Sequence, residues 1–196
     1  MKVLLIADEE ERGLWDYYRP EKLRGVELIL AAGDLKASYL SFLVTMANRP
    51  LLYVPGNHDV NFAKNPPEGC ECIDGRIVKI NGLRILGLGG SMLYSGGPNQ
   101  YTERQMRRRI RRLGLRLWLA GGVDVVVSHA PVAGCGDMDD APHRGFECFR
   151  ELIEKYEPRL WVHGHVHKRY GAQFQREYVI GKTRVVNACG KFEAEI

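Results

Sequence analysis

The sequence predicts an α/β fold with largely buried strands, and three observations carry that expectation. Short apolar, β-branched runs alternate with helical stretches, and alternation of this kind argues for βα units. Two segments interrupt it with turn dipeptides set between apolar runs, the pattern of hairpins. The chain has 196 residues, 45% of them apolar, enough for one domain over 1–196 with a sizeable core and cramped for two.

The first strand is expected over 2–7, where KVLLIA breaks abruptly into Asp8, Glu9, Glu10 and Glu11. That acidic step is either the rim of a metal site or a strand running out into water. A second strand at 26–32 ends in Gly33-Asp34, and a helix at 37–47 follows. The third strand, 51–54, delivers Asn57, His58 and Asp59 behind Pro55-Gly56. Between 72 and 90, Ile73-Asp74-Gly75 and Asn81-Gly82 separate apolar segments and predict hairpins. The glycine-rich GLGGSMLYSGGP at 87–98 fits neither a P-loop nor a dinucleotide fingerprint, and is read as a loop near the site. Over 103–119, Met106, Ile110, Leu113 and Leu117 recur at helical spacing, and Thr102 with Gln105 forms a capping-box start. A fourth strand at 123–128 leads to His129, a helix is expected at 146–156, and a fifth strand at 160–163 leads to Gly164, His165 and His167. The last hairpin is expected over 173–180 and 183–188, hinged on Gly181-Lys182.

The formal charge of +4 suggests nucleic acid until its location is considered. Most of the excess lies in helix 103–119, as Arg104, Arg107, Arg108, Arg109, Arg111, Arg112 and Arg116. No groove-reading motif accompanies them, so they are read as a solvated face and nucleic acid is not favoured. No apolar run approaches the roughly 18 residues of a membrane span, and residues 1–7 enter a strand without a signal-peptide pattern. No membrane and a cytoplasmic location are therefore expected. Cys70, Cys72, Cys135, Cys148 and Cys189 are odd in number and lack CxxC spacing, which fits reduced thiols; a metal gripped by Cys70 and Cys72 is the minor reading. The oligomeric state is not legible in the sequence.

The ends of strands in an α/β sheet converge on one crevice, so Asp8, Asp34, Asn57, His129, His165 and His167 can be neighbours despite their separation in sequence. Singly, each has a plain structural explanation: a helix cap for Asp34, a turn for Asn57, hydrogen-bonded burial for a histidine. Together they are the oxygen and imidazole ligands that two divalent cations about 3.5–4 Å apart require.

In order and spacing, these residues resemble the calcineurin-like metallophosphoesterases, whose pattern is DxH, GD, GNH[DE], a later H, and GHxH. Here it reads Asp8-Glu9-Glu10, Gly33-Asp34, Gly56-Asn57-His58-Asp59, His129 and Gly164-His165-Val166-His167, and the resemblance spans residues 3 to about 190. It implies a four-layer αββα sandwich with two mixed β-sheets. It also implies one metal held by Asp8, position 10, Asp34 and His167, and another held by Asp34, Asn57, His129 and His165, with Asp34 the bridge. Manganese is expected, with magnesium, iron, zinc or nickel as alternatives. Glu9 is expected to face sideways and Glu11 to face solvent.

Two positions depart from the family. Glu10 stands where histidine is usual; it either ligates, shifting metal preference, or turns away and leaves the first site weak or empty. The stretch after Asp34 lacks an acid often found there.

The implied reaction is hydrolysis of a small phosphate mono- or diester by metal-activated hydroxide, with a diester or nucleotide-like substrate favoured. His58 is the expected acid for the leaving oxygen, with Asp59 orienting its ring, and Asn57 and His58 touching the phosphate. His143 and Arg144 are candidate phosphate contacts, with the alternative that Arg144 pairs with Asp139 or Asp140 and the loop only shapes the pocket. His163 is read as a packed core or supporting histidine. The competing class is an interaction module on the same fold with weak or no catalysis.

Overall fold

Alternation of side chains along the central strands generates the architecture. The computed structural model describes residues 1–168 and 174–196. In β1 (Lys2–Ala7), Val3, Leu5 and Ala7 join one core cluster while Leu4 and Ile6 join another, and β2 (Leu28–Ala31) divides in the same way. A strand apolar on both faces reads as a continuous apolar run and needs a layer on each side.

The first sheet has the order β13-β1-β2-β3-β4, with β3 at Leu51–Tyr53 and β4 at Glu71–Cys72. The second is β11-β12-β10-β9-β6-β5. Its members are β5 (Ile77–Ile80), β6 (Leu83–Leu88), β9 (Val125–Ser128), β10 (Leu160–His163), β11 (Glu177–Ile180) and β12 (Thr183–Asn187). A short pair, β7 (Ser91–Met92) and β8 (Gln100–Tyr101), lies apart. Parallel strands fill the interiors of both large sheets; antiparallel β13 (Gly190–Glu195), β5 and β11 stand at edges, so both sheets are mixed.

Val3, Leu30 and Leu52 of the first sheet meet Val125, Val127 and Val162 of the second in one buried cluster, which is the layer between the sheets. The outer face of the first sheet packs on α1 (Ala37–Ala47) through Tyr39, Leu40 and Leu43. The outer face of the second packs on α2 (Glu103–Leu119) and α3 (Glu147–Tyr156) through Met106, Leu113, Phe149 and Leu152. The αββα sandwich is thus present.

Local differences from the sequence reading have local causes. Ile73-Asp74-Gly75 is not a hairpin turn: β4 pairs parallel to β3 in the first sheet, whereas β5 starts the second, so this segment crosses between sheets. The Asn81-Gly82 and Gly181-Lys182 hairpins form; Gln173, where the latter was expected to begin, lies outside the described residues. The capping box of Thr102 and Gln105 is made, and the stripe is buried apart from half-buried Ile110. Not every arginine of α2 is merely solvated. Arg107 pairs with Glu103 and Glu151, and Arg109 bridges Asp74 to the Gly89 carbonyl while its guanidinium stacks on Tyr101. Glu103 in turn accepts the N–H groups of Glu147 and Cys148, capping the first turn of α3. Among the described residues, no helix is long and apolar enough to cross a membrane.

Candidate metal centre

Three site residues sit in left-handed backbone just past strand ends: Asp8 at φ 62°, Asp34 at φ 56° and His165 at φ 71°. Non-glycine residues visit this region at a cost, and such strain concentrates where the surroundings force a side chain into one place. Gly33 and Gly56 give them room. A Cβ on Gly33 would lie 2.7 Å from His129 Nδ1, and one on Gly56 would lie 2.0 Å from Asp34 Oδ1.

Around His129 the donors converge. Its Nδ1 is 2.7 Å from the Ala32 carbonyl oxygen, which can only accept, so Nδ1 carries the hydrogen. Its Nε2 then faces Asn57 Oδ1 at 3.0 Å, His165 Nδ1 at 3.1 Å and Asp34 Oδ2 at 3.2 Å. His165 is oriented in the same way: Nε2 donates to the Pro142 carbonyl at 2.7 Å and Nδ1 is turned inward. His129 is fully buried, and Asn57 and His165 nearly so. Two imidazoles anchored on their far nitrogens, a carboxylate and an amide oxygen form a nitrogen and oxygen donor set suited to a divalent cation. Asp34, His129 and His165 have donor atoms all within 4.8 Å of one another. A divalent cation fits this buried convergence of donor atoms.

The charges follow from the packing. Burial alone would raise the Asp34 pKa, but adjacent His129 and the His58 N–H, which donates at 2.8 Å, hold it well below the carboxylate range. Burial opposes charge on His129, yet Asp34 and then Asp8 outweigh it and hold its pKa at about 9. His165, buried beside His129, is held down at about 3. Asp8 is pushed up to about 7 by burial, although His129 and the His165 N–H, which it accepts at 2.8 Å, pull the other way.

The remaining expected residues are placed differently. Glu10 lines the same open cleft as Asp8, Asp34, His58 and Phe62, but its carboxylate pairs with Lys36 at 3.1 Å and belongs to neither group of converging donors. His167 gathers with Glu9 and Cys189, its Nδ1 3.5 Å from Glu9 Oε1 and the donor atoms of all three within 4.8 Å of one another. Glu11 is half-buried rather than solvent-facing, because its carboxylate accepts the Gly13 N–H and starts a short helical turn.

Asp59 does not orient the His58 ring. Its Oδ2 is turned inward to accept the N–H groups of Asp34 at 2.7 Å and Gly56 at 2.8 Å, fixing the turn that carries Asn57 and His58. His58 is exposed in the cleft. His143 lies against the His165 ring, 5.3 Å between centroids, and is bonded to Asp140 at 2.7 Å. Arg144 reaches the Asp139 carbonyl and lines a separate cleft with Leu93 and Glu103, away from His58.

Tyr94 is a residue the sequence reading did not single out. Its hydroxyl accepts from Asn57 Nδ2 at 3.2 Å, which turns Asn57 Oδ1 toward His129. The only signal for it was its place in the glycine-rich loop, which does border the site: Asn99 and Gly90 bond the Gly56 and Pro55 carbonyls. His163 is fully buried, with Nδ1 3.0 Å from the Gly164 oxygen.

Residues 5–169 match the calcineurin-like phosphoesterase family. The chain belongs to that family. Among solved structures, this phosphoesterase chain superposes on TT1561 of Thermus thermophilus with a TM-score of 0.67 at 16% identity, covering 96% of this chain and 89% of that one. It superposes on the 5'-nucleotidase of Candida albicans with a TM-score of 0.60 at 12% identity, covering 95% of this chain and 45% of that one. Likeness at these identities concerns the fold. A stretch of 73 residues, 36% of this chain, is 32% identical to the UPF0046 protein T07D4.2 of Caenorhabditis elegans and spans 17% of that protein's length.

Proposed function

We propose that this phosphoesterase-family chain hydrolyses a small phosphoester with divalent cations, within one catalytic unit over residues 1–196. The observation that supports it is the inward turn of Asp34 Oδ2, Asn57 Oδ1, His129 Nε2 and His165 Nδ1 toward one another in a largely buried cluster, of which Asp34 lines the open cleft. Lewis acidity is the chemistry a cation held by these four residues supplies: an acidified water and neutralised phosphate charge. The protein's own groups do the rest. His58, exposed beside Asp34, gives a proton to the leaving oxygen. Asp59 keeps the Gly56-to-His58 turn and the Asp34 backbone in register through its two accepted hydrogen bonds. Lys36, on the cleft wall, offers a phosphate oxygen the N–H groups that its pair with Glu10 leaves over, and Phe62 offers an apolar face to the substrate body. That pairing of a cation and a ring favours a diester or nucleotide-like substrate. Manganese is the proposed ion of the His129 pocket. The five cysteines are free, which supports a reducing, cytoplasmic setting.

The test is a screen of purified protein with manganese, magnesium, zinc, iron and nickel against aryl phosphate mono- and diesters and nucleotides, with His58→Ala controlling for contaminants. Manganese-dependent diester turnover lost in the variant supports the reading. No turnover with any metal, in protein that binds ions, would transfer the chain to the interaction-module class.

A further inference from the structure

The family pattern would build a second metal position from Asp8, residue 10, Asp34 and His167, yet the chain arranges its donors otherwise. Glu10 is held by Lys36. His167 instead meets Glu9 and Cys189, each contributing one donor atom within 4.8 Å of the others. We propose that Glu9, His167 and Cys189 form a distinct cation site with a thiolate ligand, selective for zinc-like ions over manganese and magnesium.

The three donors come from segments far apart in sequence that the fold pins together. Cys189 bridges Ala7 at the end of β1, immediately before the Asp8-Glu9 step, where antiparallel β13 begins. Its backbone N–H donates to Asn187 Oδ1 at 2.8 Å, and Asn187 Nδ2 donates at 2.8 Å to the carbonyl of Val166, the neighbour of His167. Asn187 is almost fully buried, so one fixed amide ties the cysteine segment to the histidine segment. Arg176 clamps the same stretch from outside by donating to the Asn187 and Cys189 carbonyls. A site supported in this way is preorganised rather than assembled by chance contact.

The donor chemistry sets the ion. A tetrahedral ion with ligands at 2.0–2.3 Å holds them about 3.3–3.8 Å apart, and Glu9 Oε1 already stands 3.5 Å from His167 Nδ1. Sulfur, imidazole and one carboxylate suit zinc, iron or cobalt, whereas manganese and magnesium prefer oxygen. Binding releases the thiol proton to solvent, and sulfur's electron pair makes the bond to the ion.

The probe is cobalt(II), added to metal-free protein in a Cys70→Ser/Cys72→Ser background so that the half-buried thiols are silent. A near-ultraviolet thiolate-to-cobalt charge-transfer band is expected, and Cys189→Ser should remove it together with one bound ion per chain. Glu9→Gln, at a half-exposed side chain, should keep the band but require at least about tenfold more cobalt to reach it. Asp34→Asn should keep the band, because Asp34 belongs to the donor group of His129 and His165 and not to this one. No band at saturating cobalt, or the same band in Cys189→Ser, overturns the proposal. Because the readout is spectral, a band in a protein without turnover would defeat the hydrolase reading and leave this one standing.

Discussion

His129 Nε2 and His165 Nδ1 face each other at 3.1 Å, each ring anchored through its other nitrogen to a backbone carbonyl. Two inward lone pairs at that distance repel unless something positive lies between them. In the metal-free molecule a proton on His129 does this, held by Asp34 and Asp8 up to about pH 9. A cation held by the same donors would do the same work in the proton's place.

Ion uptake at this pocket is therefore a competition with a proton. Affinity should rise as pH climbs from about 6 toward 9, because the His129 proton is bound below its raised pKa of about 9 and absent above it. Calorimetric titration with manganese in buffers of differing ionisation enthalpy should show proton release at pH 7. A pH-independent affinity without proton release would mean that the ion does not engage His129.

Gly56→Ala should be far more damaging than an added methyl group usually is. The new Cβ would lie 2.0 Å from Asp34 Oδ1, so either the turn or the carboxylate must move. Loss of the His129-pocket ion is expected, with destabilisation of about 1–3 kcal/mol, measured by metal content and urea denaturation. Normal occupancy would show that the turn yields without disturbing Asp34.

His58 and Asp59 should separate cleanly. His58 bonds Asp34 through its backbone N–H, which alanine retains, so His58→Ala should keep ions and stability while turnover falls by about 10²-fold or more. Asp59→Ala strips the acceptor from two N–H groups in a nearly buried turn and should cost about 2–4 kcal/mol together with ion affinity. Parallel melting curves, metal analysis and kinetics decide it. Ion loss in His58→Ala would make its ring a ligand.

These contrasts show what could be read from the sequence. Strand ends were legible because apolar runs stop sharply at Asp8, Asp34, His129 and His165, and parallel strands send their ends to one side. Asn57 and Asp34 were legible through the spacing of their motifs. Asp59's inward turn was not, since a carboxylate next to a histidine looks the same whether it serves the ring or the backbone. Nor were the Ala32 and Pro142 carbonyls that fix the two imidazoles, because any residue supplies a carbonyl. Cys189 looked like one scattered thiol. Only the antiparallel pairing of β13 with β1, a contact across nearly the whole chain, brings it to Glu9.

The arginines of α2 should divide by partner rather than by charge. Arg108 and Arg112 are exposed, with charge reversal expected to change turnover on a small substrate little. Arg109→Ala breaks the link from Asp74 to the Gly89 carbonyl and loosens the glycine-rich loop beside Asn57, so KM should rise several-fold. Leu113→Asp, placing a charge in the buried stripe, should unfold the protein. Thermal melts and kinetics on the three variants test this, and a loss of substrate affinity from Arg108 and Arg112 reversal would revive the polyanion reading.

The sharpest test of stability against pH lies far from the metal centre, at Asp124 and Arg84. The Arg84 backbone N–H and Nε both donate to Asp124 Oδ2, at 2.9 and 2.8 Å, and Nη2 donates to Oδ1 at 2.8 Å. Nη1 also reaches the Ala120 and Gly121 carbonyls, so this pair ties the end of α2 to the starts of β6 and β9. The hydrogen bonds from Arg84 hold the Asp124 carboxyl down at about 2, below its ordinary 3.8. A carboxylate whose folded pKa is lowered stabilises the protein above its unfolded value and loses that contribution as pH falls through the folded one. The window is therefore about pH 4 down to pH 2. With screening by solvent, the contribution is about 1–2 kcal/mol. Asp124→Asn should lower stability by about that much at pH 6 and by little at pH 2, so the two acid-denaturation curves converge. Urea denaturation of both proteins from pH 6 to pH 2 measures the difference directly, and a constant gap across that range would mean that Asp124 contributes packing rather than charge.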